Sequence, residues 1–218
     1  MRRWSFTLGA VVLSLAAATA QESLKSGPQP GTLLPAPFDA LNINGKVAEG
    51  RQHCLICQNA LHPAVLVFAK EPSEKTEKPL TDLMANLDNL MQKHQRDALG
   101  GFVVFLSPDS RSSVTIGERD ATSTEDLLEE ATKRNELVAR LKKRTETLKH
   151  VVAAAYPLAG PKGYNINPKA DVTVIFFSRL KVKDNWAFAE DKLTEKDVSA
   201  IVEKVDKTLE EARKNRED

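Results

Sequence analysis

The sequence predicts an α/β fold, a mixed central sheet with helices on both faces. Three observations predict it. Continuous apolar runs rich in β-branched and aromatic residues recur over residues 64–69, 102–106 and 172–177, the pattern of strands covered on both sides. Between and after these runs lie stretches with apolar residues at helical spacing. The resulting order, β-α-β-α-β then β-β-α, calls for parallel strands joined by right-handed crossovers, closed by an antiparallel hairpin.

Composition narrows the function. The chain has 218 residues, 41% hydrophobic, with 31 Lys+Arg against 30 Asp+Glu and a net charge of +1. Such a balance gives no driving force for binding nucleic acid or a membrane surface, and it excludes wholesale disorder. Two cysteines exclude a disulfide-rich scaffold.

The first segment reads as targeting. Arg2 and Arg3 precede an uncharged, mostly apolar run, and Ala18-Thr19-Ala20 forms a small-x-small cleavage site ahead of Gln21. That layout predicts a signal peptide over residues 1–20 and an exported protein, periplasmic or extracellular, in a compartment that permits disulfides. No later run reaches the roughly 18 apolar residues of a membrane span, so no membrane contact is expected after cleavage.

Residues 21–37 are rich in Gly and Pro and read as an extended leader, ordered only where it docks. A single domain over residues 38–212 follows, with no internal repeat, and residues 213–218 read as a frayed polar tail. Within the domain, Asn44-Gly45 marks a turn after a short strand. The run at 64–69 is the first central strand. Residues 70–79 read as a charged loop, after which Leu80, Leu83, Met84, Leu87, Leu90 and Met91 make one helical stripe with Pro79 at its first position. Gly100-Gly101 is expected to stop that helix before the strand at 102–106.

Thr122 and Glu125 have capping-box spacing for a second helix, acidic at its start and basic at its end. Residues 151–155 read as a third strand. Tyr164 is expected to pack the following Gly/Pro-rich connection against the sheet. The strongest strand, at 172–177, is followed by an edge strand over 180–188, where Lys181 and Lys183 alternate with Leu180 and Val182. Asp184-Asn185-Trp186 reads as a turn with an anchoring aromatic. Thr194 caps a last helix with Val198, Ile201, Val202, Val205 and Leu209 on its buried stripe. His94, at a helix end, and His150, beside a strand, read as packing or solvent residues.

Several segments carry a resemblance. These are Pro35-x-Pro37-Phe38 with Leu41-Asn42-Ile43-Asn44-Gly45, then Pro63-Ala64-Val65-Leu66-Val67-Phe68, and later Gly163-Tyr164-Asn165-Ile166 with Asp171-Val172-Thr173-Val174-Ile175-Phe176. In this order they resemble the thioredoxin-like superfamily, most of all its peroxiredoxin and alkyl-hydroperoxide-reductase branch. The chain is similar also to exported bacterial members of planctomycete type. The resemblance implies a thioredoxin-like three-layer sandwich and a reactive cysteine just after the first central strand, at a helix start that lowers its pKa. Residues 70–76, which occupy that position, contain no cysteine, and Val172 stands where thioredoxins place a cis-proline.

The two cysteines lie instead in Cys54-Leu55-Ile56-Cys57, ahead of the first central strand. In an exported chain a C-x-x-C cycles between dithiol and disulfide, and its tight ring favours reduction. Cys54 is the expected attacking sulfur, because a protonated His53 beside it would stabilise a thiolate and because the family usually uses the N-terminal cysteine. Two other readings of the pair stay open. One is a static disulfide clipping a loop. The other is a soft metal site for zinc or copper made by His53, Cys54, Cys57 and His62. No cofactor is expected: no haem-attachment motif or glycine-rich phosphate loop is present. Two functions follow. One is a thiol–disulfide oxidoreductase that uses Cys54 and Cys57 on a protein thiol or disulfide partner. The other is a non-catalytic thioredoxin-like binding module.

Overall fold

The computed structural model describes residues 24–110 and 124–217. In chain order the elements are β1 (Ala40–Asn42), β2 (Gln52–His53), α1 (Leu55–Asn59), β3 (Ala64–Lys70), α2 (Glu74–Lys93), β4 (Gly100–Leu106), α3 (Thr124–Arg144), β5 (Val152–Tyr156), β6 (Ala170–Ser178), β7 (Lys181–Ala189) and α4 (Glu195–Glu217). The signal segment and Thr122, the first member of the expected capping box, lie outside the described residues.

The strands form one sheet in the order β2-β1-β5-β4-β3-β6-β7. β3 pairs in parallel with β4, and β4 in parallel with β5. β6 runs antiparallel to β3 and returns as β7. The sheet is therefore mixed, as the β-α-β-α-β, β-β-α order requires. The step from β3 to β4 to β5 advances in one direction. Right-handed crossovers then place α2 and α3 on the same face.

That face carries the larger core. Val65, Val67, Val103, Phe105, Val174 and Phe176 meet Leu83 and Leu87 of α2, Leu141 of α3, and Ile201 and Val205 of α4. The opposite face presents Leu66, Phe68, Val104, Ile175 and Phe177. It is covered by the short α1, through Leu55 and Ile56, by Phe38 from the segment before β1, and by Tyr164 from the turn between β5 and β6. Tyr164 is fully buried, its ring edge-on to Phe38 and Phe68. It packs the connection against the sheet as the sequence implies.

The leader docks on this second face. Gly27 N–H donates to the Asn165 carbonyl, and Asn185 Nδ2 donates to the carbonyls of Ser26 and Pro28. Ser26 Oγ lies 2.7 Å from Thr173 Oγ1 in a buried contact. Further on, Gly31 N–H donates to the Val182 carbonyl and Val182 N–H to that of Thr32, so the leader covers the edge of β7.

Four local expectations change. α2 begins at Glu74, so residues 74–79 are helix rather than loop and Pro79 is internal. Ser73 is the cap, accepting the Thr76 N–H, and the buried Pro79 ring offsets the hydrogen bond it cannot make. The glycines at 100 and 101 do not stop α2. It ends at His94, a 3₁₀ turn follows at Gln95–Asp97, and Ala98 takes the left-handed conformation at φ 51°. Asp184, Asn185 and Trp186 lie inside β7, while the hairpin turn is made at Arg179 and Leu180, both at positive φ. The expected frayed tail is helical through Glu217, because 211–214 (Glu, Ala, Arg, Lys) are good helix formers that extend α4 into solvent.

Candidate redox site

Cys54 and Cys57 are joined by a disulfide, their Cα atoms 5.3 Å apart. The local chain explains the position. β2 ends at His53, which pairs with Ala40 of β1. Cys54 is extended and caps α1, its Sγ accepting the Cys57 N–H at 3.1 Å. α1 buries Leu55 and Ile56 against the second-face core, and this turns Cys57 outward. Cys57 is exposed, whereas Cys54 is half-buried and packs on that core.

The turn that follows is fixed by Asn59, whose Nδ2 donates to the carbonyls of His62 and Pro63. Gly100 leaves room for it, since a Cβ there would collide with the Asn59 side chain. Sequence reasoning missed Asn59 and gave Gly100 a different part, as the stop of the preceding helix. Gly100 was visible as a glycine at the start of a strand, a mark of close backbone approach.

The remaining candidates are not gathered round the sulfurs. His53 Nε2 lies 2.9 Å from Gln58 Oε1. His62 is exposed beyond α1. Among the described residues no group of three His, Cys, Asp or Glu side chains is placed to hold a metal ion. His94, by contrast, is buried, with Nε2 2.7 Å from Asp206 Oδ1 and Nδ1 3.1 Å from Asp97 Oδ2, a link between α2 and α4.

The pair sits at the amino ends of β3 and β4, where Ala64 pairs with Gly100 and the Leu61 carbonyl accepts the Arg179 N–H. The carboxyl end of β3 lies roughly 20 Å away along the strand. There Ser73 fills the helix start, capping α2 and donating to Asp191. A hydroxyl cannot form a disulfide, so that position has no thiol chemistry. Beside it lies a cleft of about 700 Å³ lined chiefly by Lys70, Pro108, Leu158, Ile166 and Pro168, mostly apolar. Lys70 Nζ donates to the Pro168 carbonyl and pairs with Asp171 at 3.2 Å.

No protein-family model and no curated protein matches the chain. Solved structures do. A candidate protein disulfide isomerase from Bacteroides thetaiotaomicron is similar at TM-score 0.53 and 13% identity, over 88% of this chain and 99% of its own. The fold is thioredoxin-like. Two further similar structures are a DsbF homologue from Corynebacterium diphtheriae and yeast Sco1. The first has TM-score 0.47 and 9% identity, over 82% of this chain and 90% of its own. The second has TM-score 0.46 and 14% identity, over 82% of this chain and 96% of its own. Among the described residues no helix is long and apolar enough to cross a membrane.

Proposed function

We propose that this protein is an exported thiol–disulfide oxidoreductase whose working centre is the Cys54–Cys57 pair. The observation that carries the reading is a disulfide ring of four residues, Cys54 to Cys57, with Cys57 exposed to solvent. A partner thiolate reaches such a bond without unfolding the domain, and exchange proceeds through a mixed disulfide. The ring closes so short a loop that it stabilises the fold by only about 2 kcal/mol, a modest contribution for a purely structural clip. The Bacteroides thetaiotaomicron neighbour is named for disulfide isomerisation, chemistry of the same class. Arg2, Arg3, the apolar run and Ala18-Thr19-Ala20 support export, and a mature chain beginning at Gln21 is the expected product.

The deciding measurement is the reduction potential of the pair in a glutathione or dithiothreitol redox buffer. A value in the oxidoreductase range, about −270 to −120 mV, is expected; one below about −300 mV would mark a structural bridge. Insulin reduction lost in Cys54→Ser is the companion result.

One observation favours a second reading, the binding module. The cleft at the carboxyl end of β3 has the size and apolar lining of a small-molecule site. Under that reading the pair is a static clip and the cleft takes an apolar molecule. An apolar fluorescent probe such as anilinonaphthalene sulfonate would bind the folded protein there and be excluded by Leu158→Arg. Absence of binding removes this alternative.

A further inference from the structure

We propose, resting on the exchange reading above, that Cys57 is the sulfur an external thiolate attacks and that Cys54 is the sulfur that leaves. This reverses the order expected from the family, and it follows from how the two sulfurs are placed. Displacement at a disulfide needs the nucleophile, the attacked sulfur and the leaving sulfur nearly in line. Cys57 is exposed, whereas Cys54 is half-buried and packs on the second-face core, so Cys57 is the more accessible end of the bond. Attack on Cys54 has to reach a residue that is half-buried against the core containing Leu55 and Ile56.

The leaving group is prepared as well. The Cys57 N–H already donates to Cys54 Sγ at 3.1 Å. A thiolate at that sulfur is a stronger acceptor than a disulfide sulfur, so the bond strengthens as charge develops. Among the described residues no comparable donor reaches Cys57 Sγ. A stabilised leaving thiolate departs faster.

The step balances as follows. A reductant thiolate forms a bond to Cys57 Sγ, the Cys57–Cys54 bond breaks, and the electron pair goes to Cys54. A second thiolate of the reductant then attacks the reductant's own sulfur in the mixed disulfide and releases Cys57 as a thiolate. Protons come from solvent, the pair gains two electrons, and the reductant becomes a disulfide. Run in reverse, the reduced protein engages a substrate disulfide through Cys57 and resolves it with Cys54.

The test is to treat the oxidised protein with glutathione, quench with acid at early times and map the adduct by peptide mass spectrometry. Glutathione is expected on Cys57 in about tenfold or greater excess over Cys54. An adduct on Cys54, or an even split, overturns the assignment and leaves the exchange reading standing. An intact disulfide with no adduct at either sulfur overturns both.

Discussion

Tyr164 shows how one atom shapes the second face. Its ring fills the space between Phe38 and Phe68, yet its hydroxyl is buried without a hydrogen-bond partner. Removing the oxygen relieves that desolvation, so Tyr164→Phe is expected to raise stability by about 1 kcal/mol in a denaturant titration. Burial also pushes the phenol up to about 12, from 10.0. The folded state therefore favours the protonated ring. Stability is level below pH 10 and falls as pH rises through 12, a fall that Tyr164→Phe abolishes. At this scale the sequence showed Cys54, Cys57 and the packing role of Tyr164. It could not show which cysteine is exposed, because that depends on where Leu55 and Ile56 find a core.

Among the elements, α2 departs most from what the sequence resemblance implies. Its start carries the Ser73 cap where the resemblance read from the sequence implies a thiol, and its end is tied to α4. There Lys93 and His94 both meet Asp206. Burial alone would raise the Asp206 carboxyl, but hydrogen bonds from His94 and Lys93 outweigh it and hold the group below its ordinary value of 3.8. A depressed carboxylate stabilises fully above that value, and the contribution fades as pH falls through the lower folded-state value. Asp206→Asn is expected to flatten the acid limb of the stability profile below about pH 4, measured by thermal melts across pH. The stripe of α2 was legible from residue 80 onward because spacing alone defines it. Its first turn was not, since Pro79 resembles a helix start and only the Ser73 cap reveals the true one.

In the molecule as a whole, the sheet holds two opposed ends and two unequal faces. Long helices cover one face; the other is closed by α1, the leader and the connection around Tyr164. The leader is thus a structural part, and Asn185, with two hydrogen bonds to it, is one of its fastenings. Asn185→Ala leaves the carbonyls of Ser26 and Pro28 without these donors. It is expected to cost about 1–3 kcal/mol and to speed proteolysis within residues 24–34, followed by mass spectrometry.

Local pattern carried a great deal of this protein. Apolar runs of four or more residues, helical stripes and turn dipeptides are short-range signals, and from them came the α/β class, the strand order along the chain and the lone cysteine pair. Tertiary structure decided the rest: that the three long helices share a face, that the leader covers the other, and that the disulfide stands at the amino ends of β3 and β4 with Cys57 outward. Those outcomes depend on which surfaces meet across the sheet, and contact between residues far apart in the chain leaves no trace in the spacing of near neighbours.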